Sequence, residues 1–137
     1  MGWPVGSPDC MSTLWPVLFW LYLVEASLLI AHEVDSAYWR EWELFRLPGG
    51  APLFVLVHVP LAMVVLVGLV LVREQRTPGL VMSGVVAAAG IGGCALHAAF
   101  LRRGRREFAV PASLAVLGAM LVCGLVQLGV TVALAAG

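Results

Sequence analysis

Residues 53–72 read LFVLVHVPLAMVVLVGLVLV, and His58 is the one ionisable side chain among them. A helix needs about 20 mostly apolar residues to cross the hydrocarbon core of a bilayer. This stretch has that length and carries no formal charge. It also lacks the strict alternation of polar and apolar residues that is typical of a transmembrane β-barrel strand. The sequence therefore predicts a transmembrane helix here.

Three further apolar stretches surround this segment, and charged or helix-breaking segments separate all four. The other predicted spans cover about residues 14–34, 80–101 and 110–134. The separating segments are PGG at 48–50, REQRTPG at 73–79 and RRGRR at 102–106. We predict an all-α integral membrane protein, a four-helix bundle in which residues 1–137 form a single membrane domain.

The composition of the chain agrees with a membrane location. Of 137 residues, 61% are hydrophobic and 12% are charged, whereas soluble domains average about 45–50% apolar and about 25% charged residues. The formal net charge is zero, and no basic patch is large enough to follow a phosphate backbone. The composition excludes a nucleic-acid partner, a disordered regulator and a secreted disulfide scaffold.

The arginines indicate an orientation in the membrane, since the chain contains no lysine. Four spans place both termini and the second loop on one side, and that side holds Arg73 and Arg76. The first and third loops hold the other arginines: Arg40, Arg46, Arg102, Arg103, Arg105 and Arg106. Positively charged loops stay in the cytoplasm, so we expect cytoplasmic first and third loops and extracytoplasmic termini. The third loop would contact anionic headgroups, with recognition of a phosphorylated headgroup or an isoprenoid diphosphate as the alternative.

The first loop predicts a short amphipathic helix that continues the first span. Its apolar residues recur at helical spacing: Val34, Ala37, Tyr38, Trp42 and Phe45. Charged residues are interspersed: Arg40, Glu41, Glu43 and Arg46. We expect this helix to lie at the membrane surface and to end at Pro48, with its tryptophans as interfacial anchors. A lid over a polar site is the alternative interpretation.

Small residues in the third span and polar residues in the fourth indicate close packing of helices. Ala88 and Gly92, like Ala89 and Gly93, have the small-xxx-small spacing that lets helix backbones approach in lipid. We expect these residues to pack within the bundle, and a homo-oligomer formed through this span is the alternative. Gln127 and Thr131, near the opposite membrane face from the first loop, are expected to form interhelical hydrogen bonds.

The three histidines of the chain fall at one depth in the predicted topology. His32 lies near the end of the first span. His58 is five residues into the second span, roughly 8 Å at the helical rise, and His97 is four residues from the end of the third, roughly 6 Å. Because ionisable groups in a span usually face the bundle interior, we expect the histidines to share a polar site.

Carboxylates accompany the first of these histidines. Asp35 is three residues from His32 and shares its helix face. Glu25 is seven residues before His32, which places it on the same face and roughly 10 Å deeper. Glu33 points about 100° away from His32. The candidate acid–base residues are therefore Asp35, Glu25 and Glu33.

Two chemistries fit this group of residues. His32, His58 and His97 are candidate ligands of zinc or iron, with an open position for water or substrate. Alternatively, a carboxylic acid in an apolar site protonates an oxygen or a double bond, and a histidine relays the proton. Either chemistry predicts a membrane-embedded enzyme whose lipid or isoprenoid substrate enters from the bilayer.

A non-enzymatic function is the alternative. The chain would then be a membrane accessory subunit, a chaperone-like partner or a permease for a small solute or protons. In that case the histidines and Glu25 would be interhelical contacts or a proton pathway. Ligation of haem by two of the histidines is a third possibility.

One segment of the chain carries a family resemblance. It begins with His32, Glu33, Val34, Asp35 and Ser36, continues to LPGG at 47–50 and includes His58. In a small four-span protein, this segment resembles the HXXEE-motif membrane proteins and a related group, neither of which has an assigned function. Asp35 and Ser36 replace the two glutamates of that motif. The resemblance therefore implies site roles for His32 and Asp35 and implies no reaction.

Overall fold

The structure is a computed structural model, and it describes residues 8–46, 48–105 and 109–137, with side chains from residue 12 onward. Within these residues it contains helices and turns and no strand. The helices are α1 (Pro8–Tyr38), α2 (Glu41–Leu44), α3 (Gly50–Arg73), α4 (Thr77–Arg102) and α5 (Pro111–Ala136). Leu47 and Arg106 lie outside the described residues. The prediction of an all-α bundle is confirmed.

Four of the helices are long and apolar enough to cross a membrane. They are Ser12–Tyr38 within α1, and then α3, α4 and α5 in full. Each predicted span falls on one of them. The helices begin where the sequence allows, since Pro78 and Pro111 lie in the first turns of α4 and α5, where the missing proline N–H costs no helical hydrogen bond. The chain is a small multi-pass membrane protein; the predicted sidedness of its loops stays a prediction.

The four long helices form a ring in the order α1, α5, α4, α3. α5 packs extensively against both α1 and α4, whereas α3 contacts α4 and α1 less closely and leaves most of its surface exposed. One end of the bundle holds the end of α1, the start of α3, the end of α4 and the start of α5. We call this end the loop-1 end, because α2 lies there.

The first loop differs from the continuous amphipathic helix that we expected. α1 ends at Tyr38, and Arg40 adopts a left-handed backbone conformation with φ 54°. The following helix, α2, is a single turn. This change of direction places Glu41 inside the protein at 6% exposure, and the interfacial anchor expected at Trp42 is buried at 9% exposure. The expectation of a solvated charged face and an anchoring tryptophan was therefore wrong at these two residues.

The small residues of α4 divide between the two faces of the helix. Gly90 is buried and faces α1, and a Cβ atom there would overlap the carboxylate of Glu25. Gly93 lies beside the imidazole of His32. Ala88 and Gly92 are exposed, and a Cβ atom at Gly92 would meet nothing within 4 Å. Packing within the bundle therefore involves Gly90 and Gly93, and association through the exposed face stays a prediction.

A buried hydrogen-bond network joins α4 to α5 in the half of the bundle away from the loop-1 end. The Gln127 side chain donates through Nε2 to the carbonyl and the hydroxyl of Ser83, both at 3.0 Å. The hydroxyl of Thr131 donates to the carbonyl of Gln127 at 2.8 Å, and its oxygen lies 2.8 Å from the Ser83 hydroxyl. The prediction that Gln127 and Thr131 form interhelical hydrogen bonds is confirmed.

Candidate functional site

Two cavities adjoin at the loop-1 end of the bundle. The first, of about 530 Å³, lies beneath α2, and we call it the polar cavity. Its polar lining residues are His32, Glu33, Ser36, Glu41 and His58. The second, of about 520 Å³, lies between α1, α3 and α4 and is lined almost entirely by aliphatic side chains, so we call it the apolar cavity. Each volume is within the range of about 300–1,000 Å³ that is typical of small-molecule sites.

A hydrogen bond between α1 and α3 lies where the two cavities meet. Nε2 of His58 is 2.7 Å from Oε2 of Glu33, and Nδ1 of His58 is 2.6 Å from the carbonyl oxygen of Phe54. A carbonyl oxygen only accepts hydrogen bonds, so Nδ1 carries a proton. The hydrogen bond between Nε2 and Oε2 needs a second proton, which either atom can carry. Both side chains line both cavities, so this pair is in reach of a molecule in either one.

A second group of polar side chains joins α1, α2 and α4. The rings of His32 and His97 are in edge-to-face contact, with centroids 4.9 Å apart. Nε2 of His97 lies 3.1 Å from Oε1 of Glu41, which is an ion-pair separation, and both side chains are almost fully buried. Glu41 thus attaches the single turn of α2 to the interior of the bundle, and His32 presents its imidazole to the polar cavity.

The surroundings of Glu41 perturb its ionisation. Burial raises the pKa of this carboxyl group to about 7; a hydrogen bond with Ser36 lowers it, and the carboxylates of Glu33 and Asp35 raise it further. Removing a carboxylate from water disfavours its charged form, and neighbouring negative charges act in the same direction. Glu41 therefore changes its charge near neutral pH.

Aromatic side chains complete the walls of the polar cavity. The ring centroids of Trp42 and Phe54 are 5.2 Å apart, and those of Phe54 and His58 are 4.0 Å apart. Phe45 packs against Phe100 of α4 at 5.8 Å. These contacts hold α2 and its flanking turn over the cavity. The first loop therefore forms one wall of the polar cavity, and its interpretation as a lid stays a prediction.

Glu25 lies apart from both cavities, about two helical turns deeper than His32. Its side chain is fully buried, and neither oxygen has a hydrogen bond of ordinary geometry from a described residue. Cys123 lies beside the carboxyl group, and the space that the group occupies exists because Gly90 has no side chain. Glu25 therefore does not join the histidines, although the sequence places it on the same helix face.

The structure gathers the histidines at the loop-1 end, as their predicted depth required. It divides them between two groups. In the first, His58 is hydrogen-bonded to Glu33. In the second, His97 lies beside Glu41 and its ring contacts that of His32. Among residues 8–46, 48–105 and 109–137, no three His, Cys, Asp or Glu side chains are placed to hold one metal ion. A zinc or iron site therefore stays a prediction, which elemental analysis of the purified protein would test.

Sequence reasoning did not identify Glu41 and Ser36 as residues of the site. Glu41 stands among charged residues that were expected to face solvent, and Ser36 was treated only as a departure from a motif. Asp35, which was expected to be central, is half-buried and acts on Glu41 through its charge. The helical position of Ser36, four residues after His32, is the one signal that could have indicated that it faces the same cavity.

The fold and the site together define a class of protein, a small all-α membrane protein with a polar cavity at one end of four candidate spanning helices. The chain belongs to DUF6713, a family of unknown function, whose model matches residues 18–134. The match includes every candidate site residue. No curated protein and no solved structure showed significant similarity to the chain. Membership of this family agrees with the expected resemblance to proteins without an assigned function. A relationship to the HXXEE-motif proteins stays a prediction.

Proposed function

We propose that the protein is a membrane-embedded enzyme that binds an amphiphilic lipid or isoprenoid and transfers a proton at its polar end. The observation that carries the proposal is the position of Glu33 and His58, which line both cavities. The chain of the ligand would lie in the apolar cavity between α1, α3 and α4. Its polar end would then lie in the polar cavity beside the pair.

The Glu33–His58 pair is suited to general acid–base catalysis. Nδ1 of His58 is occupied by the carbonyl of Phe54, which fixes the orientation of the ring. The proton between Nε2 and Oε2 is the one available to a ligand. Its transfer to a double bond of the ligand forms a C–H bond and leaves the pair one proton short. Return of a proton from a neighbouring carbon of the ligand to the pair restores the pair and completes an isomerisation. His32 and Ser36, in the same cavity, would orient the polar end.

Ligand binding can be tested with two adjacent alanines. Ala89 lines both cavities, whereas Ala88 lines neither of them. Ala89→Phe would fill the junction of the cavities, and Ala88→Phe adds the same ring to the same helix. Protein purified in mild detergent is analysed for bound lipid by mass spectrometry. We expect the wild type and Ala88→Phe to retain the same lipid and Ala89→Phe to lose it. Equal lipid content in all three would contradict the proposal.

The proton transfer needs a separate measurement. Wild type and Glu33→Gln are incubated with a membrane lipid extract in D₂O, and the extracted lipids are examined for carbon-bound deuterium. We expect one lipid species to gain deuterium with the wild type and not with Glu33→Gln. Glu74→Gln, a change in the exposed turn between α3 and α4, is the matched control and should behave as the wild type. A bound lipid that never gains deuterium would overturn the enzymatic part of the proposal.

A membrane accessory subunit is the second candidate function. The observation that favours it is that the buried polar groups join helices, as Glu41 and His97 join α2 to α4. In this role the cavities would hold a structural lipid or the side chains of a partner. Retention of a lipid without deuterium incorporation is the outcome expected of this second candidate.

A further inference from the structure

We infer that the ligand of the two cavities is a single-chain amphiphile with an uncharged polar end, a hydroxyl or carbonyl group. The inference rests on the proposed function, since it names the ligand class of the same site. It excludes a phosphate, a diphosphate and an ammonium group as the polar end. Four features of the cavities support it: the pairing of their charges, the lack of arginine in their lining, the hydrogen-bonding groups that remain, and their size.

The acidic side chains of the polar cavity already have imidazole partners. Oε2 of Glu33 is 2.7 Å from His58, and Oε1 of Glu41 is 3.1 Å from His97. A carboxylate that faces an imidazole at such a distance has little charge left to attract a cation. An ammonium group would have to displace a histidine from its carboxylate and would also leave water, which is costly for an unpaired ion.

The cavities also lack the residue type that recognises phosphate. Among the described residues that line either cavity there is no arginine, and the chain has no lysine. Phosphate groups are usually bound by the paired N–H groups of arginine or by helix N-termini. The guanidinium of Arg40 is exposed and pairs with Glu43. A phosphate in the polar cavity would therefore leave water without gaining an arginine or lysine partner.

The remaining polar groups match a neutral oxygen. The hydroxyl of Ser36 donates to Glu41 and can still accept, the ring of His32 both donates and accepts in its neutral form, and Glu33 accepts. A hydroxyl group needs one acceptor and one donor, and a carbonyl needs a donor. The lining of the polar cavity supplies both kinds without requiring a net charge on the ligand.

The size of the apolar cavity favours one chain. Its volume of about 520 Å³ is in the middle of the range for sites that hold one small molecule. A lipid with two acyl chains would need a second groove of similar size. Among the described residues, the polar cavity is the adjoining space, and its acids and histidines make it a poor site for hydrocarbon.

Photo-crosslinking with a set of probes tests this inference. Each probe is a hexadecyl chain with a mid-chain diazirine, ending in an alcohol, a phosphate or an amine, and each is added to the purified full-length protein in detergent. We expect the alcohol to label the protein about tenfold more than either charged probe, since an uncompensated charge in the cavity costs more than the roughly 1.4 kcal/mol that corresponds to that factor. Labelling should map to α1, α3 or α4 and should fall to background in Ala89→Phe but not in Ala88→Phe.

The possible results separate this inference from the proposed function. If the phosphate or the amine labels the apolar cavity as strongly as the alcohol, the inference about the polar end is wrong and the lipid site stands. If all three label the wild type and Ala89→Phe equally, no amphiphile occupies the cavity and the proposed function itself fails. A preference for the alcohol that disappears in Ala89→Phe supports both.

Discussion

Oε2 of Glu33 on α1 and Nε2 of His58 on α3 lie 2.7 Å apart, at the boundary between a polar and an apolar cavity. This contact joins the two helices at the loop-1 end. It therefore has a structural effect that can be measured without knowledge of the ligand.

A double-mutant cycle at Glu33 and His58 should show coupling. We expect each of Glu33→Ala and His58→Ala to lower the free energy of unfolding. The loss in the double variant should be smaller than the sum of the two single losses, by an interaction energy of about 1 kcal/mol. The pair of Glu74 and Arg76, 3.7 Å apart and more than half exposed, is the control. Its coupling should be close to zero. Equal coupling in both pairs would mean that the contact at the cavities adds no stability.

Glycine at position 90 makes room for the Glu25 carboxyl group. A Cβ atom there would overlap Oε1 of Glu25, so Gly90→Ala should lower the free energy of unfolding by about 1–3 kcal/mol, as is typical of overpacking. Gly92→Ala is the matched control, since its Cβ would meet nothing within 4 Å. Alanine is the better helix former, so this control should be neutral or slightly stabilising in the same thermal unfolding assay.

A compensating change sharpens that test. In a protein that already carries Glu25→Ala, the overlap no longer exists, and Gly90→Ala should then cost little. If Gly90→Ala were equally destabilising with and without the glutamate, another neighbour would be responsible for the tight space.

The positions of the helices follow from the sequence because they depend on hydrophobic length, which is a local property. The histidines all lie at the loop-1 end for a related reason: helices that alternate in direction bring residues at equal distances from their ends to one depth. The sequence also indicates that His32 and Glu33 point about 100° apart. It does not indicate that one would face α4 and the other α3, because that depends on how α1 is rotated within the bundle.

The position of Glu41 could not be predicted for a different reason. In a continuous helix, Glu41 would lie about 180° from His32, nine residues earlier, and so on the opposite face. The left-handed conformation of Arg40 turns the chain and reverses this relation. Arginine rarely adopts that conformation, so its residue type does not indicate a left-handed turn at this position. The backbone conformation of Arg40 thus places Glu41, a residue that a continuous helix would leave on the surface, inside the site.

The network on Ser83 should contribute measurable stability to the other half of the bundle. Ser83→Ala removes the hydroxyl that accepts from Gln127 and contacts Thr131, and we expect a loss of about 0.5–2 kcal/mol, in line with interhelical hydrogen bonds in membranes. Ser27→Ala is the control, since that exposed hydroxyl bonds to the carbonyl of Leu23 in its own helix. If the two variants unfold alike, the interhelical bonds have no net effect on stability.

The stability of the protein should depend on pH through Glu41. Burial raises the pKa of this group from 4.5 to about 7 in the folded protein, so the folded state binds the proton more tightly than the unfolded state. The stabilisation is complete below about pH 4.5 and is lost as the pH rises to about 7, and at roughly 1.4 kcal/mol per pH unit the loss is about 3 kcal/mol. Glu41→Gln cannot ionise, so its midpoint of thermal unfolding should change less over this range. Above pH 7 the midpoint of Glu41→Gln should exceed that of the wild type.

The control is Glu43→Gln, which lies on the same helix and has an exposed side chain. It should retain the pH dependence of the wild type. If Glu41→Gln also retained that pH dependence, another group would be responsible for it.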